Sequence, residues 1–126
     1  MVSLIDTNVI VRFLAEDHAE HLLKSQEIFR QIQAGTLHVE IMSEVVMEVL
    51  YVLTKFYSVP QEIVIEKLVK LLSLRGVVNR DKALLTAALE IMVRHRIDYV
   101  DALICAKTQL QSYEWISFDA DLKKHC

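Results

Sequence analysis

Val2-Ser3-Leu4-Ile5 reads as a short buried strand, and it ends abruptly at Asp6-Thr7-Asn8 before a second apolar run, Val9 to Leu14. An apolar strand that hands over through a polar turn to a helix is the unit of a parallel sheet, because parallel strands need crossover connections. Similar strand-like segments follow at 36–42 (Thr-Leu-His-Val-Glu-Ile-Met), 76–78 (Gly-Val-Val) and 115–118 (Trp-Ile-Ser-Phe). Between them apolar residues recur at helical spacing. Asp17 with Glu20 resembles a capping box ahead of Leu22, Leu23, Phe29 and Ile32, with Gly35 as the stop. Ser43 caps an apolar helix over 44–57, and Pro60 opens another that carries Val64, Leu68, Leu71 and Leu72 to Gly76. Asn79 caps a fourth, with Leu85, Leu89 and Met92 on one face, and Asp98 a fifth that runs to about Tyr113. The pattern predicts an α/β fold: one domain over residues 1–126, its sheet covered on both faces, with right-handed crossovers.

The chain has 126 residues, 53% of them hydrophobic, with two glycines and one proline, which leaves little room for linkers or disorder. No stretch is apolar enough to span a membrane, and the N-terminus does not read as a secretory signal. Cys105 and Cys126 are a sparse pair, read as reduced thiols in a cytoplasm. The formal charge of -3 argues against a strongly basic nucleic-acid binder. Setting aside four of the 17 acids as metal ligands leaves 13 against 14 basic residues, so a phosphate substrate is not excluded.

Ligands of parallel sheets gather at the carboxyl ends of the strands. Asp6 follows the first strand and Asp119 the last, so both belong at that edge. Each reads equally well as a helix cap. Glu48 lies with Glu44 and Lys55 on a narrow polar stripe between Val45, Val49 and Val52, which is either a solvated face or a site wall. Asp101 occupies the first turn after Asp98 and shares a small, polar stripe with Cys105, Thr108 and Ser112, suggestive of a cleft wall. Converging carboxylates repel one another and are costly as mere structure, whereas a hard divalent cation asks for such oxygens.

"LIDTNVIV", "SEVVMEVLYVL", "DYVDALICA" and "SFDADL" together resemble, in order and spacing from residue 3 to about 123, the PIN domain family and within it the VapC-type ribonuclease toxins. Two positions depart from the family pattern: Val100 replaces a smaller residue, and relatives often continue past Cys126 into one more short strand. The resemblance implies a three-layer αβα sandwich with a central parallel sheet of four or five strands. It also implies an endoribonuclease dependent on Mg2+ or Mn2+, in which Asp6, Glu48, Asp101 and Asp119 are catalytic. Asp6, Asp101 and Asp119 would be metal ligands, with Glu48 acting directly or through water and Thr7, Asn8 and Asp121 auxiliary. It further implies RNA as substrate, a cognate antitoxin protein and a homodimer, with Phe13, Leu14, Leu22 and Leu23 lining an antitoxin groove or simply packing in the core. The histidines are read as surface or packing residues, and Arg12, Lys82 and Lys123 as surface cations within reach of an RNA backbone.

Rival readings fit less well. A phosphatase with a strand-end Asp nucleophile wants a second Asp where Asn8 stands, and a receiver domain wants a lysine soon after Phe118. A PIN-fold RNA- or protein-binding module with little catalysis, and a housekeeping RNA-processing nuclease, remain as alternatives that activity measurements separate.

Overall fold

The computed structural model describes residues 1–126, apart from the side chain of Asp121, so the expected auxiliary role of that residue lies outside what is described. The chain divides into two compact units, Met1–Arg80 and Asp81–Cys126.

The first unit holds β1 (Ser3–Leu4), α1 (Thr7–Ala15), α2 (Ala19–Ala34), β2 (Val39–Glu40), α3 (Ser43–Lys55) and α4 (Gln61–Leu72). β1 and β2 pair in parallel, Ser3 opposite Val39 and Leu4 opposite Glu40. The segment at 76–78 joins β2 only through a parallel bridge between Val39 and Val77. Gly76 explains how it gets so close. A Cβ there would fall on the carbonyl oxygen of Leu37 and 2.6 Å from that of Ile32. Its own N–H donates to Ile32 O at 2.8 Å. α1 packs on α2 and α3, and α3 on α4. The face expected from spacing is buried on α4, with Val64, Leu68, Leu71 and Leu72, and α3 buries Val46, Val49, Leu50 and Leu53.

The second unit holds α5 (Lys82–His95), α6 (Tyr99–Gln111) and α7 (Ala120–His125). Leu85, Leu89 and Met92 are buried on α5, which packs along α6. α7 folds back on α6 and brings Cys126 to Cys105. The two are joined as a disulfide with a Cα–Cα distance of 5.4 Å, which corrects the expectation of reduced thiols.

Two strands and one bridge form among the described residues, not four or five strands. The segment 115–118 forms no strand among the described residues, and Ile116 and Phe118 are fully exposed.

Three expected caps also differ. α2 is capped by His18, whose Nδ1 accepts from His21 N at 3.3 Å, and the imidazole takes the place foreseen for Asp17. Ser43 lies inside α3, one residue past its cap Met42. The cap position of α5 is Asp81, not Asn79. Instead Asn79 is buried and its amide clasps the peptide of Ile41, accepting from Ile41 N at 2.8 Å and donating to Ile41 O at 2.6 Å. The amide replaces a neighbouring strand where β2 runs out. Gly35 ends α2 as expected, with φ 81°. Elsewhere, with glycine so scarce, Glu16, Arg96 and Ser112 take the left-handed conformation that closes α1, α5 and α6.

Candidate nuclease site

Asp6 stands at the carboxyl end of β1, where the extended backbone (φ -83°, ψ 153°) turns into α1. Its Oδ1 accepts from Thr7 N at 2.8 Å, and its main-chain carbonyl accepts from Val9 N at 3.2 Å. Asp6 is therefore the cap that the sequence allowed, yet its carboxylate stays exposed to solvent. A cap needs one oxygen, and a carboxylate has two. Thr7 is buried beneath it and Asn8 is exposed beside it. Asn8, Val9 and Arg12 of α1 face His21, Lys24, Ser25 and Ile28 of α2 across a cleft of about 250 Å³.

Glu48 projects from the middle of α3, the helix that packs on α1. It is exposed, in line with Glu44 and Lys55, while Val49 is buried and Val45 and Val52 are half-buried. No hydrogen bond or ion pair ties its carboxylate among the described residues.

In the second unit Asp98 caps α6, its Oδ1 accepting from Asp101 N at 3.0 Å. Asp101 lies half-buried in the first turn, where the helix dipole favours its charge. The stripe that continues from it is mixed: Ser112 is exposed, and Thr108 lines a cavity of about 240 Å³ with Ile104, Lys107 and Tyr113. Cys105 and Thr108 are buried, and Thr108 returns its hydroxyl to the carbonyls of Ile104 (2.6 Å) and Cys105 (2.9 Å). Small side chains on that face serve close packing, and a threonine that bonds its own helix needs no partner elsewhere. Asp119 is exposed just ahead of α7, its N–H donating to Ser117 Oγ at 2.8 Å.

Asp6 and Glu48 thus sit on packed neighbours within one unit, and Asp101 and Asp119 on packed neighbours within the other. Among the described residues no three His, Cys, Asp or Glu side chains form a group able to hold a metal ion. The donor chemistry nevertheless suits a hard divalent cation: all four are carboxylates, and Glu48 carries no competing cation.

One polar cluster escaped the sequence reading. Tyr57, just beyond α3, donates its hydroxyl to Asp17 Oδ2 at 2.6 Å, and Arg12 Nη1 reaches the same oxygen at 3.1 Å. The Tyr57 hydroxyl first, and the Arg12 guanidinium after it, hold the Asp17 carboxyl below the usual carboxylate range. The same hydrogen bond pushes the Tyr57 phenol up. The cluster ties α1, the α1–α2 turn and the end of α3 together. It also engages Arg12, which the sequence offered as a free surface cation. Forty residues separate Tyr57 from Asp17, and no local pattern signals that contact. Of the four apolar groove candidates, Phe13 stacks on Phe29 (centroids 4.3 Å apart), Leu14 and Leu22 are half-buried, and Leu23 is exposed.

A PIN domain model matches residues 3–126, and the chain belongs to the PIN domain family. PIN domains are α/β proteins, generally nucleases, and they typically use divalent metal ions. Comparison with curated proteins and with solved structures finds no match. No helix is long and apolar enough to cross a membrane among the described residues.

Proposed function

We propose that the chain is a metal-dependent endoribonuclease of the VapC type, the toxin of a toxin–antitoxin pair, that hydrolyses RNA phosphodiester bonds in the cytoplasm. The observation that carries this reading is Asp6: an exposed carboxylate at the carboxyl end of β1, inside a chain matched over nearly its whole length by a nuclease family. Asp6, Asp101 and Asp119 would hold Mg2+ or Mn2+, and Glu48 would complete the set directly or through water. When bound, such an ion supplies an activated water and stabilises charge growing on the phosphoryl oxygens.

The side chains have their own parts. Thr7 N–H fixes one oxygen of Asp6 and so orients the other. Glu48, unpaired on α3, is suited to orient a water or take its proton. The parallel bridge at Val77 supports extension of the sheet toward the four or five strands of an αβα sandwich. A homodimer and an antitoxin seated near the α1–α2 cleft belong to the same proposal, and exposed Leu23 supports the latter.

The test is purified protein with single-stranded and structured RNA, with and without Mg2+ or Mn2+. Cleavage should require the metal, stop in EDTA, and disappear in Asp6→Asn. Cleavage that survives EDTA or Asp6→Asn refutes the mechanism. Metal-independent RNA binding with no cleavage points instead to a PIN-fold binding module.

A further inference from the structure

We infer that the Cys105–Cys126 bridge is a redox-controlled fastening for the segment that carries Asp119. α7 has six residues, too few to persist as a helix unaided. Leu122 is its one fully buried side chain among those described, while Ala120, Lys123 and Lys124 are exposed. Besides the bridge, the His125 ring stacks on His95 of α5, centroids 4.8 Å apart. The bridge anchors α7 to α6 at Cys105, four residues and so one turn beyond Asp101 on the same helix face. It therefore fixes the chain that follows Asp119 against the helix that bears Asp101.

Cys105 is buried and Cys126 half-buried, so a reductant reaches the bridge from the Cys126 side. The reductant is a dithiol. One of its thiolates attacks Cys126 Sγ, the S–S bond breaks, and Cys105 leaves as a thiolate that takes up a proton. The second dithiol sulfur then displaces Cys126 from the mixed disulfide. Two electrons and two protons pass to the cysteines, and the dithiol becomes its own disulfide. Reduced, α7 retains Leu122, the imidazole stack and a weak contact of the Cys105 thiol with the His125 carbonyl at 3.8 Å, and its hold on α6 loosens.

The consequence for RNA cleavage rests on the reading of Asp101 and Asp119 as parts of one site, so the test has a second readout. Hydrogen exchange of the full chain is followed with and without dithiothreitol, beside Cys126→Ser and beside cleavage with Mg2+. On reduction, amides in 120–126 should exchange at least about tenfold faster, those of α5 should not change, and cleavage should fall about tenfold. Cys126→Ser should behave as reduced protein in either condition. Unchanged exchange in 120–126 overturns the fastening. Faster exchange with undiminished cleavage overturns its control of the site. Absence of cleavage in both redox states removes the ribonuclease reading, and the exchange data alone then decide the fastening.

Discussion

Replacing Asn79 with alanine should destabilise the protein far more than loss of a helix cap. The amide holds both polar groups of the Ile41 peptide, at 2.8 and 2.6 Å, and Ile41 is fully buried. Without it, a donor and an acceptor stay inside unsatisfied, at about 1–3 kcal/mol each, together about 2–6 kcal/mol. An unfolding entropy of roughly 2 cal/mol/K per residue over 126 residues converts each kcal/mol into about 4 °C of Tm. The expected drop is about 8–24 °C, read by thermal melting in far-UV circular dichroism and checked by urea unfolding. Asn79→Asp sharpens the test. Its carboxylate still accepts from Ile41 N, but its second oxygen faces Ile41 O, which favours the protonated acid. The folded pKa of that Asp therefore rises above its unfolded value. Its stabilising contact is complete below the unfolded value and is lost as pH rises through the folded one. The aspartate variant should thus recover relative to alanine on acidification. A change in Tm below about 4 °C for Asn79→Ala, or no acid recovery for Asn79→Asp, refutes the clasp as a stability determinant.

Further outcomes follow from other sites. Gly76→Ala drives a methyl onto the Leu37 and Ile32 carbonyls and should cost about 1–3 kcal/mol or more in urea unfolding, although alanine suits most backbones. Asp6→Asn keeps an acceptor for Thr7 N and should leave stability within about 0.5 kcal/mol, whereas Asp6→Ala should lose about 1 kcal/mol, both without metal-dependent cleavage. In an NMR titration Asp17 should ionise below the usual carboxylate range, and Tyr57→Phe should bring it back up. The sign follows: what the cluster adds to stability is complete above the unfolded Asp value and fades as pH falls through the lower folded one. At the alkaline end it fades as pH rises through the raised Tyr57 value.

What could be read from the residues divides along a physical line. Helix faces were legible on α4 and α5, because burial of one side imposes a repeat that the chain displays directly. The Asp98 cap with Asp101 in the first turn, and the strand-end position of Asp6, were legible for the same local reason. Asn79 and Tyr57 were not. Each spends its polar atoms on a group about 40 residues away, and a good capping or surface residue looks the same in either role. The disulfide was hidden likewise, since two cysteines 21 positions apart meet only because α7 doubles back. Whether four carboxylates share one cation is a property of tertiary approach, which neighbouring residues do not encode.

Helix ends offer a last consequence. Glu16, Arg96 and Ser112 hold φ near 55°, a geometry disfavoured for residues with a side chain, because nearly all glycine is absent from this composition. Each is a place where an engineer gains stability without touching the core: glycine at 16, 96 or 112 relieves about 1 kcal/mol of backbone crowding. The same three sites mark where natural variation toward Gly or Asn would accumulate freely.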